Sequence, residues 1–567
     1  MLDGGPTGRH VLRQAIGGQR RRIAVASVLG MAHQGCEALV PVVIGVVIDQ
    51  AVATGSAGAL VRWLIVLAGL FLVLSTCYRT SARITDGSAE HAAHRVRLAL
   101  GAKVLDPRGG ADTGRLPGAL TAVATGDASR VGASAAAVVY AVSALAGLAV
   151  SAVALLRVSV PLGLLVLLGV PPLLWVGHLI SRPLERRSEV EQDRAAHASG
   201  VAADLVGGLR VLKGMGAEAA AVARYRRTSR ESLAAALRAA RSRAGHDGAI
   251  LALTGIFIAL IGLVGAHLAM RGSISVGELV AAVGLAQYLL GPFQLLTYVN
   301  GEFAQGRASA ERVAEVLAAP PAVAAGTARL PHPVSGRVRL RGVARGALRG
   351  LDLDIAPGGF VGVVVRDPAA AGELLRCLGR ECDPDEGVVE LDGVPLADLA
   401  PQDARRAVLV AHHDADLFEG SLLDNVRAGK AEGDGDRETG PALAAAAADE
   451  VAEALPRGVD TVLTERGRSL SGGQRQRVAL ARALAADPPV LVVHDPTTAV
   501  DTVTESRIAT RLRRLRQDRT TILVTTSPAL LAETDQVLVV EDGTIGARGR
   551  HQDLIASDAS YRAAVLA

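Results

Sequence analysis

The sequence predicts a helical membrane domain with six spans, followed by an α/β domain. Three observations lead there. Six apolar segments in the first 300 positions are each long enough for a bilayer core, which needs about 20 residues. Arginines load the long connections between them and are sparse in the short ones. Beyond residue 336, short β-branched runs alternate with helical segments, the pattern of an α/β domain. Half of the 567 residues are hydrophobic, 50%, and the mean hydropathy is +0.32, as expected of a membrane protein.

Read in order, the chain opens with Arg9, Arg13, Arg20, Arg21 and Arg22 ahead of an apolar stretch with no convincing cleavage site. This is expected to be a retained cytoplasmic end rather than a signal peptide. The spans fall near 23–48, 60–78, 132–156, 160–180, 248–270 and 276–299. The connection after the second carries Arg79, Arg83, Arg95 and Arg97, and that after the fourth Arg182, Arg186 and Arg187. The short connections hold only Arg157 and Arg271. The positive-inside rule therefore places both termini and the long connections on the cytoplasmic side; the expected location is a bacterial inner membrane, with the α/β domain in the cytoplasm. The long connections continue helical periodicity and turn where Gly109, Gly110 and Gly118, then Gly207, Gly208, Gly214 and Gly216, interrupt it. Pro320 and Pro321 begin a small-residue linker. The expected domains are 1–317, with the linker 318–336, and 337–567, in which 360–365, 407–410, 490–493 and 521–524 read as strands.

Composition excludes some functions. A net charge of +4 does not suggest a nucleic-acid binder, and 4 cysteines (Cys36, Cys77, Cys377 and Cys382) in so long a chain are expected to be free thiols. Only Lys103, Lys213 and Lys430 are lysines, a bias that suits a high-GC bacterial genome.

The strongest local signal is the run Leu470, Ser471, Gly472, Gly473, Gln474, followed by Arg475, Gln476 and Arg477. Ser471, Gly472 and Gly473 fall at the start of a helix, where free N–H groups and the helix dipole favour an anion. The run resembles the signature motif of ABC transporters. With Thr113, Gly114, Asp127, the stretch 208–213, Ala217, Glu218, Ser309 and Arg312, the chain resembles an exporter-type (type IV) ABC half-transporter over nearly its whole length. The resemblance implies a six-span membrane domain fused to an ABC nucleotide-binding domain. It also implies that two such domains pack head to tail, each signature facing the γ-phosphate of the ATP held by the other.

The family's phosphate-binding loop, G-x-x-G-x-G-K-S/T-T, lies without a gap on residues 365–373. Its glycines become Val365, Pro368 and Ala370, its lysine Ala371, its magnesium-binding hydroxyl Gly372, and Glu373 adds a negative charge. Proline has no N–H for a phosphate cradle, and valine and alanine disfavour the positive φ that glycine permits. Lys430, the one lysine of this half, lies in a different loop. Where the family has a magnesium-binding Asp and a general-base Glu, this chain has His494 and Asp495. Where it has a glutamine there is His413, with His412 beside it, and where it has a switch histidine there is Thr526. Val343, Ala344 and Arg345 occupy the region of the adenine-stacking aromatic. His412, His413, His494 and Asp495 are types that bind transition metals if they converge, but drift at an unused site accounts for them, and no metal is expected. Asp501, with Ala499 and Val500, resembles the loop that crosses the domain interface, and the stretch 464–467 resembles the segment facing the membrane domain.

The resemblance thus implies a catalytically degenerate subunit of a heterodimer. Its partner, a second half-transporter with intact nucleotide motifs, would mainly hold ATP with Mg²⁺, and this chain would offer Ser471, Gly472, Gly473 and Gln474. Exporter-type relatives mostly export lipids, peptides or drugs, and some import siderophores. A membrane pseudo-ATPase acting as regulator or scaffold is the rival expectation. In the first span His33 and Glu37 share a helical face, with Gln34 adjacent. Ionisable groups inside a membrane are costly, so two readings stand: a substrate cavity or proton-linked site, or residues that face water near a flared helix end or pair within the bundle.

Overall fold

Long apolar runs with few breakers should continue as unbroken helices, because a bilayer leaves backbone groups no other partner. The computed structural model describes residues 6–111, 115, 117–413, 416–429 and 439–566, except the side chains at 117, 174, 178, 181–186, 189 and 465. Thr113, Gly114 and Lys430 lie outside the described residues. The helices are α1 (Gly8–Gly17), α2 (Arg20–Val47), α3 (Ala57–Val104), α4 (Pro117–Ala122), α5 (Ala128–Val158), α6 (Val160–Gly207), α7 (Leu209–Met215), α8 (Glu218–Met270) and α9 (Val276–Leu317). Among the described residues, six helices are long and apolar enough to cross a membrane. The chain divides into two units, Met1–Leu100 with Thr121–Ala318, and Gly101–Leu120 with Ala319–Ala567.

In the first unit α2, α5 and α9 pack on one another, and α6 runs along α8. Membrane helices gain little from apolar burial alone, so small residues that bring backbones close do much of the work. Gly45 and Gly277 meet this way: a side chain on Gly277 would run into the Gly45 carbonyl and the Asp49 carboxylate. Asp49 sits in a π-helical turn, Ile48–Val52, that ends the first span. Its carboxylate accepts from the Ser275 hydroxyl at 2.5 Å and the Gly277 amide at 2.9 Å, a negative charge on the N-terminus of α9. Ser275 caps that helix reciprocally with Glu278. Lower in the same unit, Arg312 donates to both oxygens of Asp127, at 2.9 and 2.5 Å, joining α9 to the start of α5.

The second unit contains β1 (Val338–Arg345), β2 (Leu348–Ile355), β3 (Phe360–Val365), β4 (Glu386–Leu391), β5 (Val394–Pro395), β6 (Val408–Ala411), β7 (Gly420–Ser421), β8 (Val462–Leu463), β9 (Val490–His494), β10 (Thr520–Val524), β11 (Gln536–Glu541) and β12 (Thr544–Gly549). One sheet is antiparallel, β2-β1-β4-β5, and a larger one runs β12-β11-β3-β10-β9-β6. In the larger sheet β11, β3, β10, β9 and β6 are parallel and β12 is an antiparallel edge. The helices of this unit used below are α10 (Pro368–Leu378), α11 (Pro401–Ala407), α12 (Leu422–Arg427), α13 (Gly440–Ala445), α14 (Ala448–Glu453), α15 (Gly472–Ala485) and α16 (Thr502–Leu515). Parallel sheets bind ligands beyond the carboxyl ends of their strands. The ends of β3, β6, β9 and β10 therefore bring together 366–367, 412–413, 494–495 and 525–526.

The turn after α3 belongs to this second unit. Lys103 Nζ donates to the Ala319 carbonyl at 2.7 Å, Arg405 to that of Pro107 at 2.7 Å, and the Ala322 and Val323 amides to that of Arg108 at 3.0 and 3.2 Å. The Arg108 guanidinium beside Asp106 holds its carboxyl at about 2.

The Gly45 contact gives a sharp comparison. Gly277→Ala forces α2 and α9 apart and should lower the melting temperature of the detergent-solubilised chain by the equivalent of about 1–3 kcal/mol. Gly262→Ala, on α8 with nothing within 4 Å of the added methyl, should leave it unchanged or raise it.

Candidate functional site

Two helix N-termini in the second unit are built in opposite ways. The first follows β3, whose residues 360–364 are buried. The chain leaves the sheet at Val365 and within three residues is in α10, with no loop wide enough to surround an anion. Asp367 is the cap: its Oδ1 accepts from the Ala369 amide at 2.9 Å, and Pro368 fills the first helical position. No residue of 365–373 takes a positive φ. Ala370 and Ala371 pack into the apolar core, and a methyl on Gly372 would meet nothing within 4 Å. Where a lysine and a hydroxyl would meet a phosphate, this chain places ordinary helix residues.

Neighbouring charges are used up internally. Glu373 lies 3.1 Å from Arg376 and 3.2 Å from Arg345, the latter within ion-pair distance but without hydrogen-bond geometry. Arg345 ends β1 and also donates to the Asp383 carbonyl at 3.0 Å and the Asp385 carboxylate at 2.9 Å. Arg366 is held by Glu541 at 3.2 Å and the Ser560 hydroxyl at 2.6 Å.

At the end of β9, His494 Nδ1 lies 3.3 Å from His413 Nδ1, with the rings edge to face at 4.9 Å. Its Nε2 is 3.6 Å from Asp495 Oδ2. Asp495 holds a φ of 42° while its amide donates to the Val524 carbonyl at 3.0 Å; aspartate tolerates this region better than most residues. His412 turns away to Glu381, 3.5 Å distant, and that hydrogen bond holds the Glu381 carboxyl below its usual range. Three of the four sequence-predicted residues thus meet, and His412 does not join them. Among the described residues no group of three or more His, Cys, Asp or Glu could hold a metal ion. Thr526 follows β10 as an exposed residue. A cavity of about 520 Å³ opens beside the histidine pair, bounded by Phe418, Gln476 and Arg482.

The second helix N-terminus is that of α15. Ser471 caps it, accepting from the Gln474 amide at 3.3 Å, while Gln474 Oε1 accepts from the Ser471 amide at 2.8 Å. Ser471 is exposed, and Gly472, Gly473 and Gln474 are half-buried. Here the glycines have a local reason: a side chain on Gly473 would strike the Ala499 carbonyl. Gln476 ties the same two segments, donating to the Thr498 hydroxyl at 2.7 Å and accepting from the Ala499 amide at 2.9 Å. Asp501 caps α16 by accepting from the Thr504 amide at 2.9 Å, and that backbone bond holds its carboxyl below the usual range. Arg477 on α15 reaches the Ala447 carbonyl at 3.2 Å and Glu450 at 3.7 Å, and Glu450 also takes Arg507 of α16 at 2.7 Å. The signature helix, the loop 497–501 and α16 are therefore one braced surface. The roles of Gln476, Glu450 and Arg345 were not read from the sequence; each depends on a partner far along the chain.

In the first unit His33 and Glu37 lie on α2, 3.6 Å apart. His33 Nδ1 donates to the Leu74 carbonyl at 3.2 Å, and Glu37 borders a cavity of about 560 Å³.

Comparisons with known proteins agree with this architecture. Residues 23–293 match the model of the ABC transporter transmembrane region, and 348–498 that of the ABC transporter domain. An ATP-dependent lipid A-core flippase of Thiobacillus denitrificans is 32% identical over 407 residues, covering 70% of each chain. The flippase of the same name from Chromohalobacter salexigens is 32% identical over 408 residues, again 70% of each. Among solved structures, a bacterial Atm1-family ABC exporter with ATP bound superposes with a TM-score of 0.75 at 24% identity, covering 96% of this chain and 97% of that one, a likeness of fold.

The two glycines separate the two helix ends experimentally. Gly473→Ala should displace the loop at Ala499 and lower the melting temperature by the equivalent of about 1–3 kcal/mol. Gly372→Ala should be neutral or stabilise by up to about 1 kcal/mol, as for a helix-interior position with room for a methyl.

Proposed function

The chain belongs to the ABC transporter family, and we propose that it is the catalytically degenerate subunit of a heterodimeric exporter, completing an ATP site held by its partner. The observation that carries this reading is the contrast between the two helix ends. The start of α10 is closed by Asp367 and Pro368, with a buried Ala371 where a lysine would serve, whereas the start of α15 presents an exposed, neutral Ser471 with two half-buried glycines behind it. The Asp367 carboxylate on the Ala369 amide repels a phosphate and occupies that donor, and Pro368 offers none. The start of α15 carries a neutral cap, which leaves its dipole uncompensated for an anion.

On this reading the partner supplies the phosphate loop, the magnesium ligand, the base and the switch histidine. This chain supplies Ser471, Gly472, Gly473 and Gln474 to the same Mg-ATP, with the loop around Asp501 facing the partner. Closure of that one site drives the membrane helices between inward- and outward-facing states, transmitted through the turns near 106–118 and 207–218. The complex sits in a bacterial inner membrane with its nucleotide-binding domains in the cytoplasm. Its cargo is a small molecule, lipid or peptide moved outward; the flippase names of the relatives fit an amphiphilic cargo.

The test is the ATPase rate of the purified chain alone, with its partner, and with its partner after Ser471→Arg. The chain alone should be inactive and the pair active. The substitution should slow the pair by a factor on the order of 100, the scale for losing a preorganised donor at a developing charge. Full activity of the pair carrying Ser471→Arg would falsify the proposed role of the signature.

A further inference from the structure

Aromatic side chains are scarce in this chain, which has 6 tyrosines in all. Four of them gather in one region of the first unit. Tyr288 and Tyr298 line the 560 Å³ cavity together with Gln34, Glu37, Gln287 and Gln294. Tyr140 stands 6.4 Å, ring to ring, from Tyr298, and Tyr78 stands 5.0 Å from His33. Tyr225 and Tyr561 are the remaining two. Apolar packing does not explain the clustering, because Tyr78 is 58% and Tyr298 is 53% exposed.

The charge of the cavity is as distinctive as its rings. Glu37 is its one ionisable acid, and among the described residues no lysine or arginine lines it. His33 does not cancel that acid by hydrogen bonding. Its Nδ1 must donate to the Leu74 carbonyl, and its Nε2 stays 3.6 Å from Glu37, too far for a hydrogen bond. Glu37 is 45% exposed and keeps acceptor capacity towards the cavity. The Tyr288 hydroxyl is bound to Gln34, which fixes that ring at the wall. A carboxylate and tyrosine faces, with amide groups between them, are what a cation of low hydration needs: charge neutralisation and π-faces in place of lost water. An anionic headgroup in the cavity would meet the Glu37 carboxylate and, among the described residues, no basic side chain in the lining; His33 Nε2 stands 3.6 Å behind that carboxylate.

We propose that this cavity binds a lipophilic organic cation, an amine or onium compound, as the transported substrate class. The proposal rests on the transporter reading above and narrows it, since it separates this chain's cargo from an anionic lipid.

The probe pair is tetraphenylphosphonium and tetraphenylborate, which share a shape and differ in sign. Equilibrium dialysis against the full-length chain in neutral detergent, without nucleotide, should give saturable binding of one phosphonium per chain, at least about tenfold tighter than borate. Glu37→Gln should weaken phosphonium binding about tenfold, and Gln287→Glu, which adds a second acid, should strengthen it. The gain expected of Gln287→Glu guards against mistaking misfolding for a lost site. Borate binding as tightly as phosphonium, non-saturable uptake, or phosphonium affinity untouched by both substitutions overturns the proposal. Because the assay contains no ATP or partner, its failure beside an intact partner-dependent ATPase removes the cation site and leaves the transporter reading standing; the reverse outcome does the opposite.

Discussion

The first amides of a helix can be satisfied once, by a residue of the chain or by a ligand, and this choice organises the nucleotide-binding unit. At α10 the choice is internal: Asp367 accepts from Ala369, and proline takes the next position without an N–H to offer. The consequences spread outward from there. With the helix end closed by Asp367, Ala370 and Ala371 join the core, and Glu373 turns to Arg345 and Arg376. Arg345 in turn anchors the end of β1 to Asp385, where an adenine ring would otherwise need a flat aromatic partner. At α15 the cap is a neutral serine that leaves its surface open, and the glycines admit Ala499 against the helix.

The same principle recurs in the membrane unit with a structural outcome. Asp49 occupies the N-terminus of α9 and so staples the end of the first span to the start of the last. The carboxylate there performs the service for a helix that a phosphate performs at an open one, and Gly45 and Gly277 allow the approach. Charged pairs elsewhere follow the same economy of partners. Asp127 with Arg312, and Glu450 with Arg507 and Arg477, each connect elements distant in sequence. Gln476 does so with neutral groups, linking α15 to the loop that in our reading crosses to the partner.

Much of this was legible in the residues. The six spans show because apolar length is a one-dimensional signal, and β3, β6, β9 and β10 show because buried parallel strands are short β-branched runs. The signature was legible as a helix start, and the loss of the lysine and of the three cradle glycines at 365–373 was legible as composition. What was not legible depends on distance. The separate helix α1, capped by Thr7, and the π-helical turns Ile48–Val52 and Val123–Asp127 carry no periodic signal of their own. The membership of Gly101–Leu120 in the second unit rests on Lys103, Arg108 and Arg405 meeting backbone carbonyls or amides more than 200 residues away. His412 looked equivalent to His413 in sequence, and only the turn towards Glu381 separates them. The gathering of four tyrosines came from α3, α5 and α9, whose spacing along the chain gives no hint of it.

The central claim is that one Mg-ATP is turned over per pair of chains, held by the partner and completed by the start of α15. Vanadate trapping of radiolabelled nucleotide in the purified pair, followed by photo-crosslinking, addresses it most directly. The account predicts one trapped ADP per pair, with the label on the partner's phosphate loop. Two trapped ADP per pair, or label within residues 365–373 of this chain, would contradict it.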